Sequence, residues 1–65
     1  MRITLPRQLG IAVRQAREDA GMTQAQLAER AGVSVRLVVA LELGDAAGIR
    51  ADKLLPILTA AGLQD

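Results

Sequence analysis

The side chains able to do chemistry here are almost all arginines and carboxylates, with 8 Lys+Arg, 7 Asp+Glu, no His and no Cys. That inventory removes imidazole bases, thiolate nucleophiles, disulfides and the usual zinc ligands together. The acids Glu18, Asp19, Glu29, Glu42, Asp45, Asp52 and Asp65 form no cluster with the look of a metal site and read as solvated helix faces. No catalytic, metal-binding or cofactor-binding residue is therefore expected, and the chain is not read as an enzyme. What remains is recognition. In the run Gly32-Val33-Ser34-Val35-Arg36-Leu37-Val38-Val39-Ala40-Leu41-Glu42-Leu43-Gly44, Arg36 alone between Ser34 and Glu42 can offer hydrogen bonds, in a stretch otherwise apolar.

The net charge is only +1, but Arg2, Arg7, Arg14 and Arg17 all precede the first acid, giving +4 over the first seventeen residues. One end or face is thus basic, and the distribution says more about partners than the sum. No apolar run approaches the length of a membrane span and no signal-peptide pattern is present, so a soluble, cytoplasmic protein without a membrane partner is expected.

The elements that must position these residues are helices. At 65 residues the chain makes one domain, 1–65, and a chain this small buries only about 60% of its unfolded surface. With 51% hydrophobic residues and no aromatic residue, the core must come from Leu, Val, Ile, Ala and Met. Turn signals at Gly21, Gly32, Gly44, Gly48 and Gly62 cut the sequence into four segments of helical periodicity. The first starts near Pro6 and repeats apolar residues at Leu5, Leu9, Val13, Ala16 and Ala20, with Arg7, Arg14 and Glu18 toward water.

Thr23 followed by Gln26 is a capping box, and Met22 against Leu27 a hydrophobic staple, so a second helix is expected from about Thr23 to Ala31. Gly32 stands where a helix end takes positive φ, and Ser34 where the next helix takes its N-cap, with Val33 and Val38 as a second staple. Two short helices joined by a few residues around a glycine make a helix-turn-helix, spanning about 23–43. After a loop at 45–50, a last helix is expected from about Asp52 to Ala61. Pro56 would fall in or just beyond its first turn, and Leu54, Leu55, Leu58 and Ala61 on its buried stripe.

The run Thr23-Gln24-x-x-Leu27-Ala28-x-x-Ala31-Gly32-Val33-Ser34-x-x-x-Val38-x-x-Leu41-Glu42-x-Gly44 resembles the helix-turn-helix domains of the lambda and 434 repressor and Cro type, the XRE family. About a dozen positions agree over twenty-two residues without a gap. Arg14-x-x-Arg17 and Leu54-Leu55-x-Ile57-Leu58-x-Ala60-Ala61-Gly62-Leu63 extend the likeness over nearly the whole chain. Within the family, Pro6-x-Gln8-Leu9-Gly10 and the closing Ile57-Leu58-x-Ala60-Ala61-Gly62-Leu63 are similar to the short antitoxins of the HipB kind. The resemblance implies an all-α fold, a compact four-helix bundle with five helices as the family's alternative.

In the family, an ion pair ties the first helix to the third, at the positions of Arg17 and Glu42. A glutamine at the position of Gln24 contacts a phosphate and braces the third helix, and positions matching Val35, Arg36 and Ala40 reach base edges in the major groove. On the third helix Val38 and Leu41, three apart, point inward and Leu37 packs at the edge, leaving Val35, Arg36, Val39, Ala40 and Leu43 outside. Arginine to guanine is the commonest specific contact, and Val35, Val39 and Ala40 could touch thymine methyl groups. Ser34 joins the DNA-contacting set at the start of this helix, and Gln24, Arg14, Arg50 and Lys53 are the expected phosphate contacts. Asp45 would face phosphates unfavourably.

The function expected is a sequence-specific DNA-binding repressor, a dimer on an inverted-repeat operator, because one such helix reads too few base pairs for useful discrimination. Its more detailed form is an autoregulating antitoxin with a toxin partner. The alternative is a protein-interaction module on the same frame, because Val35, Val39 and Leu43 would make an exposed apolar patch, and such patches mark protein interfaces.

Overall fold

The computed structural model describes residues 6–46 and 48–63. It contains helices α1 (Pro6–Asp19), α2 (Gln24–Ala31), α3 (Val35–Glu42) and α4 (Ala51–Ala60), with no strand among the described residues. This is the expected all-α four-helix arrangement, and α2, the turn and α3 form its helix-turn-helix unit.

Local chemistry sets the boundaries of the central helices. Thr23 Oγ1 accepts from the Gln26 backbone N–H at 3.0 Å, while Gln26 Oε1 accepts from the Thr23 N–H at 2.8 Å. Both otherwise orphaned donors at the start of α2 are satisfied by one reciprocal pair. At the other end Gly32 turns left-handed at φ 71°, and Val33 N–H reaches the Ala28 carbonyl at 3.0 Å. Only glycine takes that φ without a Cβ penalty, and the reversal brings α3 back within two residues. Ser34 Oγ then accepts from the Leu37 N–H at 3.1 Å and opens α3.

The core is Val13, Met22, Leu27, Ala28, Val38, Leu41, Ile57 and Ala61. Leu27, Leu41, Ile57, Val13 and Val38 are wholly buried, and each contributes about 1.5–3 kcal/mol of transfer free energy. α3 packs on α1 and α2, and α4 packs on α2. Gly10, in the middle of α1, is buried, and a Cβ added there would collide with the carbonyl oxygen of Leu41. The first and third helices therefore meet backbone to backbone, closer than any side chain would allow.

Several expectations need correction. Ala20 is exposed because α1 ends at Asp19 and the chain is already turning toward Gly21. Leu5, expected on the same stripe, lies outside the described residues. The stripe of α4 is centred on Ile57, not on the leucines: Ile57 and Ala61 are buried, Leu54 and Leu58 half-buried, and Leu55 is 45% exposed. Pro56 is the sixth residue of α4, well inside it, where it leaves the Asp52 carbonyl without its helical donor. Gly48 marks a turn, as expected.

Candidate nucleic-acid interface

α3 has one face in the core and one face outward. Val38 and Leu41 are buried and Leu37 is half-buried against the core, while Val35 is 46% exposed and Arg36 is exposed. Val39 and Ala40, expected outside, are half-buried, because an eight-residue helix held between α1 and α2 is covered along both flanks. Leu43, just past the helix, is 73% exposed.

The orientation of this helix is set by a polar clamp at its C-terminal end. Arg17 Nε donates to Glu42 Oε2 at 2.7 Å and Nη2 to Oε1 at 3.1 Å, a bidentate pair. Arg17 Nη1 also donates to the Met22 carbonyl at 2.8 Å, and Gln24 Nε2 donates to Glu42 Oε1 at 3.1 Å. One carboxylate is thus held by α1 and by the first residue of α2, and the same guanidinium ties the α1–α2 connection. The two side chains are only 11% and 4% exposed. Hydrogen bonding to Glu42 raises the pKa of Arg17 above its ordinary value, against the opposing effect of burial and with added help from the Glu42 and Glu18 charges. No buried side-chain polar atom among the described residues lacks a partner.

Around this clamp the structure brings together Arg14, Gln24, Val39 and Leu43, which line one shallow surface depression with Arg17 and Glu42. Arg14 does not reach outward unpaired: its Nε donates to Glu18 Oε2 at 3.2 Å. Arg50 likewise sits 3.3 Å from Asp52, on the approach to α4, and Lys53 follows in the first turn of that helix. No hydrogen bond or ion pair joins Arg50 or Lys53 to α3 among the described residues. Ser34 uses its hydroxyl oxygen as the cap of α3. Asp45 is exposed just beyond α3. Among the described residues no group of three or more His, Cys, Asp or Glu could hold a metal ion, and no helix is long and apolar enough to cross a membrane.

Sequence reasoning missed Gly10 and the Met22 carbonyl as parts of the site's support. A glycine in the middle of a helical pattern was the available signal for the first, since it marks close backbone approach. The second had none, because a carbonyl carries no side-chain identity.

The family described as "Helix-turn-helix domain" matches residues 8–65. The chain belongs to this helix-turn-helix family. Its type is that of the XRE regulators, in agreement with the motif running from Thr23 to Gly44. Among solved structures, this helix-turn-helix chain is similar to one in the "Structure of HipA-HipB-O2-O3 complex", with 25% identity and a TM-score of 0.80. The alignment covers 100% of this chain and 90% of that one, and the neighbour is the HipB component. No curated protein matches the helix-turn-helix chain.

Proposed function

We propose that this helix-turn-helix protein is a sequence-specific transcriptional repressor that binds double-stranded DNA as a homodimer on an inverted repeat. The observation that carries this reading is the clamp of Arg17, Gln24 and Glu42, which fixes α3 with Val35 and Arg36 facing outward. A helix presented in that way fits the major groove, where Arg36 can donate a bidentate pair to guanine and Val35, Val39 and Ala40 can meet thymine methyls. Gln24, Ser34, Arg50 and Lys53 serve the phosphates, which position the protein without reading sequence, and Arg14 can join them once it is released from Glu18. Two protomers one helical turn apart supply the discrimination that a single arginine lacks.

The likeness to HipB supports a finer role, a cytoplasmic antitoxin that represses its own operon and also binds a toxin. The test is Arg36→Ala assayed on a duplex from upstream of the protein's own coding sequence and on a random duplex. Loss of about 1–3 kcal/mol on the first with little change on the second is expected. Equal loss on both would remove Arg36 as the reader.

A second reading has its own observation: Ile11 at 59%, Val35 at 46% and Leu43 at 73% exposure are apolar and outward. An interaction module would use them to bind protein instead of DNA. Leu43→Lys separates the two, since a cation there strengthens a phosphate-facing surface and weakens an apolar one. Unchanged or tighter DNA binding supports the repressor, whereas DNA binding that was absent throughout would favour the module.

A further inference from the structure

Arg14 lies beside α3, lining one depression with Arg17, Gln24, Val39, Glu42 and Leu43. It is also held down by its own helix, through the i, i+4 contact to Glu18 at 3.2 Å, with side chains 64% and 47% exposed. Glu18 stands in the last turn of α1, followed by Asp19, which accepts from Gln15 Nε2 at 3.0 Å. Carboxylates are disfavoured there, because the C-terminal end of a helix carries the negative end of its dipole. The fold therefore gains little from the placement of Glu18 on α1.

Asp52 makes the contrast clear. It pairs with Arg50 at 3.3 Å but sits in the first turn of α4, where the dipole favours a carboxylate and helix stability alone accounts for it. By comparison, the structural return from Glu18 is small, a supporting charge for Arg17, whose bidentate partner is Glu42. Its main contact is with Arg14.

We infer that Glu18 is an affinity-setting residue of the DNA complex: by holding the Arg14 guanidinium against α1, it withholds one phosphate contact from every duplex. The inference rests on the reading of α3 as the DNA-facing helix. While Arg14 stays on Glu18 its phosphate goes unpaired, so binding is weaker by that one contact. Phosphates carry no sequence information, so cognate and random DNA are weakened alike and the selectivity supplied by Arg36 is untouched. Glu18 is a positioning residue, acting through Arg14 and touching no base.

The experiment measures Glu18→Gln, Arg14→Gln, the double variant and Arg36→Ala on the upstream duplex and a random duplex over a range of salt. Glu18→Gln should tighten both complexes by about threefold at low salt. It should steepen the salt dependence by about 0.9 in log–log slope, the signature of one added phosphate contact. The cognate-to-random ratio should stay the same, and the gain should vanish in the Arg14→Gln background. A gain of equal size in that background would mean that Glu18 repels DNA directly, and would overturn the role given to Arg14. No gain at all would overturn it too. If Arg36→Ala leaves selectivity intact while Glu18→Gln behaves as expected, the reading of Arg36 fails and the role of Glu18 stands; if no variant binds either duplex, both fall. A thermal melt of Glu18→Gln at or above that of the unaltered chain excludes unfolding as a cause.

Discussion

The seam between α1 and α3 and the seam between α2 and α4 hold one small bundle together by opposite means. The first is a close backbone approach at Gly10, locked by the paired Arg17 and Glu42. The second is apolar, with Ile57 and Ala61 of the α4 side and Leu27 and Ala28 of α2 all buried, and no hydrogen bond or ion pair joins the two helices among the described residues. Apolar burial is non-directional and supplies most of the stability. A bidentate pair and a glycine contact are directional, and they fix the angle at which α3 is presented. Val13 of α1 and Val38 and Leu41 of α3 are buried as well, so both seams carry stability, but only the first adds the directional contacts that set site geometry.

The largest effect should come from the apolar seam. Ile57→Ala should cost about 4 kcal/mol, enough to unfold much of a 65-residue chain at 25 °C, as a loss of far-ultraviolet helical signal. Ile57→Leu, which keeps the volume, should cost less than about 1.5 kcal/mol. On the directional seam, Glu42→Ala should cost about 3 kcal/mol in a urea titration, because it strands a guanidinium only 11% exposed. Replacing the pair together, Arg17→Met with Glu42→Leu, should recover most of that stability. It should leave DNA selectivity impaired, however; full selectivity in this double variant would show that the clamp does not orient α3. Gly10→Ala should cost about 2 kcal/mol, since the added methyl meets backbone that must move. Smallest of all, Thr23→Ala should lower stability by about 1 kcal/mol through the lost cap, with DNA affinity per folded molecule unchanged.

The same contrast governs what could be read in advance. The unit from Thr23 to Glu42 was legible because its boundaries are local: Thr23 with Gln26, Gly32 and Ser34 each act within a few residues of themselves. The register of α4 was not, because Leu54, Leu55, Pro56, Ile57 and Leu58 are apolar in succession and offer no polar face to phase the helix. Packing against α2 chose Ile57 for the centre, and Arg50 opens the helix with no side-chain cap to announce it. In the site, the position of Arg36 was readable from helical spacing, and the half-burial of Val39 and Ala40 was not. That depends on how closely α1 approaches α3, which a single glycine decides.

The central claim is that the outward face of α3 is the surface that meets DNA. The most direct test follows backbone amide resonances of the labelled protein as a duplex from upstream of its coding sequence is added, with a random duplex as reference. The account predicts the largest shifts at Val35, Arg36, Val39 and Ala40, smaller ones at Gln24 and Arg14, and a weaker response with random DNA. Shifts concentrated instead on Leu55, Thr59 and Leu63, with α3 undisturbed, would contradict it.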